Sequence, residues 1–318
     1  MNNQLNIFFL YVTIVLLLVA CAKQEEQPAT SETKAEESSG IVTVEGAKLN
    51  YIIEGSGIPC IVIGSSIYYP RTFSQELRKH FKFIFLDLRH FVPSDETFEI
   101  DNITLDTYSD DIDQVRKALG LNKICILGHS IHSLLAFEYA CKYPENTSHV
   151  IMIGIYPCGL AKGSRASDEF WELDASDERK MILKKNWENI NEEAMKNLSP
   201  SEAFIKTYVT NGPKYWHDPT YDCSWIWEGV EVNMDVINHL FSAIFNEYDI
   251  TESFPRIKSP VFLALGRYDY VVPYTLWDDV KEDFPNLSYN LFEKSSHTPQ
   301  LEEQEIFDKK LIDWIKSH

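Results

Sequence analysis

Five short apolar runs constrain this chain more than any other feature. Cys60–Ile63, Phe83–Leu86, Ile124–Leu127, Val150–Ile155 and Val261–Leu265 contain no charged side chain. A strand with one wet face alternates polar and apolar residues. Continuous runs suit strands covered on both faces, as in parallel sheets layered with helices. Helical patterns lie between the runs, at Phe73–His80, Leu105–Leu119, Ser130–Tyr143, Tyr274–Phe284 and Glu302–Lys316. In Leu105–Leu119 the apolar Ile112, Val115 and Leu119 recur at helical spacing. Ahead of them, Ile41–Val44 and Leu49–Glu54 flank a turn at Glu45-Gly46 and predict an antiparallel opening pair. The alternation predicts an α/β protein with a mostly parallel, doubly wound sheet.

Residues 158–250 break the rhythm: they are helical in pattern and rich in aromatics, among them Trp171, Trp187, Trp216, Trp225 and Trp227. An insertion of that kind between two strands predicts a helical cap over the carboxyl ends of the sheet. The core is then residues 41–157 and 251–318. A chain of 318 residues has room for that arrangement.

Three loops carry chemistry. Ile124-Cys125-Ile126-Leu127-Gly128-His129-Ser130 runs a strand directly into a turn with serine at its apex, and a helix follows at once. Such a turn lifts a hydroxyl clear of the sheet, and the helix N-terminus favours developing negative charge. The segment resembles the nucleophile elbow of the α/β-hydrolase family, and the resemblance extends over nearly all of residues 41–318. It departs where the family has its second glycine, which here is His132, followed by Ser133. Residues two apart on a helix do not face each other, so His132 is not the base for Ser130.

The resemblance implies the remaining machinery. Gly266-Arg267-Tyr268-Asp269-Tyr270-Val271-Val272-Pro273 is similar to the family's acid-bearing turn and makes Asp269 the acid. Ser295-Ser296-His297-Thr298-Pro299 matches the histidine loop and makes His297 the base, although serine precedes it where glycine is more usual. The order Ser, Asp, His is that of the fold. An oxyanion hole then draws on the N–H of Ile131 and on the loop Gly64-Ser65-Ser66-Ile67, with Ser66 preferred and Ser65 or Ile67 as alternatives. The turn Asp87-Leu88-Arg89-His90-Phe91-Val92-Pro93-Ser94 is expected to buttress the site through an Arg89 ion pair.

In the cap, Trp225, Trp227 and Glu228, with Tyr221, Asp222 and Glu231 nearby, are candidates for gripping a substrate ammonium by cation–π contact and charge pairing. That suits an aminopeptidase similar to the proline iminopeptidases. A packed cap core with solvated acids leaves a carboxylesterase level with it. Neither reading needs a cofactor or a metal. The rival from another class is a catalytically inactive lipoprotein of this fold that binds a ligand or partner.

Residues 1–20 contain an apolar stretch, Ile7–Ala20, ending in Leu18-Val19-Ala20-Cys21. Small residues before a cysteine resemble the lipobox of bacterial lipoproteins, in which the cysteine is lipidated. Met1–Asn6 departs from a signal peptide in having no Lys or Arg. Residues 21–40 are polar and hold no large apolar group through Gly40, so they are expected to form a disordered tether. The implied location is the bacterial cell envelope, with the membrane reached through a lipid anchor on Cys21. A net charge of −19 leaves no basic stripe for nucleic acid. The expected partner is a small ester or peptide-like substrate. Cys125 and Cys141 read as buried thiols, and a disulfide among Cys60, Cys158 and Cys223 stays open.

Overall fold

The structure, a computed structural model, describes residues 38–93 and 99–318. The signal segment, Cys21 and nearly all of the expected tether lie outside those residues, as does Ser94. The exception is Ser38–Gly40, which opens a strand instead of closing the tether. Its backbone pairs with Tyr51–Ile53, and this pairing decides against a loop.

Eight strands form one sheet: β1 (Ser38–Val44), β2 (Ala47–Gly55), β3 (Ile58–Gly64), β4 (Phe81–Asp87), β5 (Ile124–His129), β6 (Thr147–Ile153), β7 (Val261–Gly266) and β8 (Leu287–Phe292). Their spatial order is β1-β2-β4-β3-β5-β6-β7-β8. β1 and β2 are antiparallel, with Val44 opposite Ala47 across the expected turn. β2 is antiparallel to β4, and every pairing from β4 onward is parallel. The continuous apolar runs are the buried strand centres, and all six residues of both β5 and β7 are buried. The strand order reverses direction beside β3 and β5. A crevice at such a switch point, outside the carboxyl ends of the strands, is where open α/β sheets bind ligands.

The core helices are α1 (Leu105–Ala118) and α2 (His132–Lys142). The cap supplies α3 (Leu160–Asp174), α4 (Asp177–Glu188), α5 (Glu192–Lys196), α6 (Pro200–Thr210), α7 (Gly212–Tyr215) and α8 (Met234–His239). α9 (Pro299–Glu302) and α10 (Gln304–Ser317) complete the described chain. Thr104 caps α1 through a reciprocal box with Thr107, and Ser199 caps α6 the same way with Glu202.

Two expected helices are only short 3₁₀ turns. Phe73–His80 contains the turn Leu77–Lys79, and Tyr274–Phe284 contains Tyr274–Trp277 and Lys281–Asp283. Tertiary contacts outcompete the helical ladder in both. The Arg78 guanidinium takes the carbonyls of Pro70, Phe73 and Ser74. Trp277 is buried with its indole N–H on the Ile155 carbonyl at 2.6 Å. The disulfide left open in the sequence is absent: Cys60, Cys158 and Cys223 are free, as are Cys125 and Cys141.

Candidate active site

Ser130 stands immediately after β5 with a backbone φ of 56°. That left-handed conformation is uncommon for a side chain other than glycine and marks a tight strand-to-helix turn. Two buried bonds hold the turn: Ser130 N–H donates to the Ile153 carbonyl at 2.8 Å, and the Ser133 hydroxyl donates to the Gly128 carbonyl at 2.8 Å. Gly128 is required, because a Cβ there would lie 2.3 Å from the His132 carbonyl oxygen.

Asp269 follows β7 and is fully buried. Its Oδ1 accepts the N–H groups of Val271 and Val272 at 2.9 and 2.8 Å. Its Oδ2 faces His297 Nδ1 at 2.7 Å. A carboxylate can only accept, so the proton of the His297 ring lies on Nδ1 and Nε2 presents a lone pair. Gly266 lets this pairing form: a Cβ there would sit 1.9 Å from the Ser296 carbonyl oxygen. Ser130 and His297 line one cavity of about 500 Å³. Among the described residues no hydrogen bond joins the Ser130 hydroxyl to the imidazole, a link that commonly tightens only when substrate binds.

The oxyanion loop differs from expectation. The Ser66 N–H donates to Asp87 Oδ1 at 2.5 Å, so it is committed to a buried carboxylate. The N–H groups of Ile67 and Tyr68 turn back to Ser65 Oγ at 3.2 and 3.1 Å. The Ser65 N–H is left uncommitted among the described residues. Ile131 is the N-cap residue of α2 and lines the cavity, as an oxyanion donor should. Arg89 pairs with buried Asp111 at 2.6 Å, the ion pair expected of its turn.

Of the three cap candidates, only Trp227 lines the cavity, packed against Tyr68 and Tyr208 at 4.8 and 4.9 Å between ring centroids. Trp225 is 40% exposed, and its indole N–H binds the Tyr221 hydroxyl at 3.1 Å. Glu228 is exposed and meets Arg71 through its backbone carbonyl at 2.8 Å. Asp222 and Glu231 are exposed as well. A helical spacing cannot reach inward here, because the turn Ser224–Trp227 ends at once in Gly229 with φ 75°.

Two groups near Ser130 escape sequence reasoning. One is half-buried Glu302. Its Oε1 accepts the N–H groups of Ser296 and Thr298, on either side of His297, at 3.0 and 3.1 Å. Its Oε2 accepts the N–H of His217 in the cap at 2.6 Å. The cap is further stitched to the Asp269 and His297 loops by His297 N–H on the Tyr215 carbonyl and Tyr270 N–H on the Lys214 carbonyl. Burial pushes the Glu302 carboxyl up to about 7, against the pull of its three N–H partners.

The other group is a chain of buried imidazoles. His90 Nδ1 meets the Tyr108 hydroxyl at 3.2 Å, and His90 Nε2 meets His132 Nε2 at 2.8 Å. His132 Nδ1 meets the Tyr69 hydroxyl at 2.8 Å. Tyr69 reaches His129 Nδ1 at 3.5 Å, and His129 Nε2 meets the His297 carbonyl at 2.8 Å. Burial pushes His90 and His129 down to about 3, and burial with the neighbouring imidazoles holds His132 well below its ordinary value. All three rings are therefore neutral near pH 7. His129 stands inside the elbow itself, so its place was legible. His90 lies 42 residues before His132, and no local spacing rule pairs them.

The comparisons agree with this geometry. Residues 57–208 match the family model described as the alpha/beta hydrolase fold. The AB hydrolase superfamily protein YclE of Bacillus subtilis is 35% identical over 280 residues, covering 88% of this chain and 99% of that protein. A proline iminopeptidase of Heyndrickxia coagulans is 26% identical, covering 88% of this chain and 99% of its own. Among solved structures, the proline iminopeptidase of Mycobacterium smegmatis superposes with a TM-score of 0.66 at 16% identity, over 88% of this chain and 98% of that one. With its eight-stranded sheet, its elbow serine and a full-length relative above a third in identity, the chain belongs to the α/β-hydrolase family.

Proposed function

We propose that this protein is a serine hydrolase that cleaves a neutral ester through an acyl-enzyme. One observation carries the reading. The Asp269–His297 pair and Ser130 open into a cavity whose described lining holds no Asp, Glu, Lys or Arg. Ser130 Oγ attacks the ester carbonyl while His297 Nε2 takes its proton. The N–H groups of Ile131 and Ser65 hold the oxyanion. As the tetrahedral adduct collapses, His297 returns the proton to the departing alcohol. Water, deprotonated by the same nitrogen, then releases the acid and restores Ser130.

The lining favours esters over aminoacyl amides. A free α-ammonium entering an apolar cavity needs a facing carboxylate to offset its desolvation. Asp222, Glu228 and Glu231 are solvent-facing. The aminopeptidase alternative rests on the relatives named proline iminopeptidase. The test is turnover of p-nitrophenyl butyrate against prolyl p-nitroanilide. The ester should show a burst and a rate at least tenfold higher. Ser130→Ala should remove the burst and lower kcat by about 10⁴-fold or more, since triad members act as a unit. Preferential cleavage of the anilide sinks the ester reading, and full activity of Ser130→Ala sinks the nucleophile.

The proposed setting is the cell envelope, with Cys21 lipidated. Cys21→Ala should move the protein from the membrane to the soluble fraction. Retention on the membrane points to the apolar segment itself as the anchor.

A further inference from the structure

The direction of every hydrogen bond in the imidazole chain can be deduced. A backbone carbonyl only accepts, so His129 must donate from Nε2 to His297, and its neutral ring leaves Nδ1 bare. The neighbour of that bare nitrogen is the Tyr69 hydroxyl, which donates to it across 3.5 Å. Tyr69 can then accept from His132 Nδ1–H, which leaves His132 Nε2 to accept from His90 Nε2–H. His90 Nδ1 accepts in turn from Tyr108. Every ring is satisfied in this one sense. In the reverse sense His129 Nδ1 has no donor.

The chain has one weak link. The bonds through His132 are 2.8 Å, whereas the Tyr69 proton reaches its acceptor only at 3.5 Å, the far limit of a hydrogen bond. Tyr69, His90, His129 and His132 all line the Ser130 cavity, whereas Tyr108 lies behind them. The Tyr69 proton is thus a donor polarised from behind, weakly engaged, facing a largely apolar space. Burial also keeps the Tyr69 phenol far from ionising.

We propose that Tyr69, backed by His132 and His90, is a specificity subsite that donates a hydrogen bond to a neutral oxygen acceptor on the substrate, such as a keto or ether oxygen apart from the ester under attack. This deepens the hydrolase reading and rests on it for the ligand's being an ester. It explains why the elbow holds histidine where the family usually has glycine: His132 orients Tyr69. Neutral rings cannot balance a carboxylate, so the subsite takes an uncharged oxygen. A substrate acceptor at ordinary bonding distance would displace the weak His129 contact and leave the rest of the chain in place.

The test reads binding apart from turnover, on full-length Ser130→Ala. The probes are 4-phenylbutan-2-one and n-butylbenzene, followed by fluorescence of Trp227 in the cavity wall. Adding Tyr69→Phe should weaken the ketone about tenfold, the size expected of one neutral hydrogen bond, and the hydrocarbon less than threefold. Tyr108→Phe, which removes the first donor behind the cavity, should weaken the ketone in the same direction by a smaller factor. Equal loss for both probes, or no loss for the ketone, overturns the subsite. In the otherwise wild-type chain, Tyr69→Phe should raise KM for a keto-bearing aryl ester more than for the plain ester. An equal fall in kcat for both esters would place Tyr69 on the reacting carbonyl and overturn it too. Probe discrimination on Ser130→Ala supports the subsite whether or not the wild-type chain turns esters over, so failure of the hydrolase reading shows separately.

Discussion

Two sets of buried histidines meet at Ser130, and they differ in what they are paired with. His297 faces a carboxylate that is itself fixed by two backbone N–H groups. His90, His129 and His132 face only neutral partners, namely tyrosine hydroxyls, each other and a carbonyl. Burial is nearly complete in both sets, so burial alone does not make a base. A buried imidazole can carry a proton only where an opposite charge stabilises the cation. The Asp269 set is therefore suited to moving a proton during a reaction. The neutral set is suited to holding direction and reading an uncharged ligand.

Removing the charge from the first set is the strongest way to break this contrast. Asp269→Asn keeps the shape but deprives the His297 cation of its partner. We expect kcat to fall by about 10⁴-fold with the far-ultraviolet circular dichroism unchanged. A fall below tenfold would mean that the contrast between the two sets has no catalytic meaning.

Breaking the neutral chain should cost stability more than rate. His90→Phe leaves His132 Nε2 without a donor and should destabilise the fold by about 1–3 kcal/mol in urea unfolding. The double variant His90→Phe/His132→Phe should cost less than the two single costs added together, because the second change removes the orphaned group. Simple additivity would show that the two rings do not act as a pair.

The pH dependence of stability sharpens the comparison through its sign. Unfolded His90 and His129 take up protons near pH 6.5, but the folded rings refuse them until about 3. Below pH 6.5 the unfolded state thus binds more protons, and stability falls as pH falls from 6.5 toward 3. Each group contributes a slope of up to about 1.4 kcal/mol per pH unit. Glu302 acts in the opposite direction. Its folded carboxyl holds a proton below about 7 and its unfolded one only below 4.5, so stability from this group rises as pH falls from 7 to 4.5. Urea midpoints from pH 4.5 to 7.5 should therefore fall less steeply on acidification in His90→Gln than in the wild type. They should fall more steeply in Glu302→Gln. Parallel curves for all three proteins would refute both assignments.

Smaller effects are expected in the cap and where α9 meets it. Glu302→Gln turns an amide N–H₂ toward the N–H of His217 or toward those of Ser296 and Thr298. We expect kcat to drop about tenfold while KM changes less, as a displaced His297 loop implies. Glu228→Gln should change the turnover of ester and aminoacyl anilide less than twofold, since its side chain is solvent-facing. A selective rise in KM for the anilide would restore the aminopeptidase reading.

The sequence by itself determined the sheet, the order of the three loops along the chain and a helical block between β6 and β7. These are properties of local pattern: an apolar run long enough for a doubly covered strand, glycine where backbones approach, and a serine between strand and helix. Local pattern failed where distant groups compete for the same backbone. Arg78 took the carbonyls that a helix over Phe73–His80 needed, and Asp87 took the Ser66 N–H that the oxyanion reading needed. It failed again in the cap, where an isolated turn put Trp227 inside and Glu228 outside within one residue. The pairing of His90 with His132, and of Glu302 with the His217 N–H in the cap, was decided only by the tertiary structure. Those bonds join groups from separate elements, 42 and 85 residues apart. Their strength depends on shared burial, and no single segment of the chain carries that information.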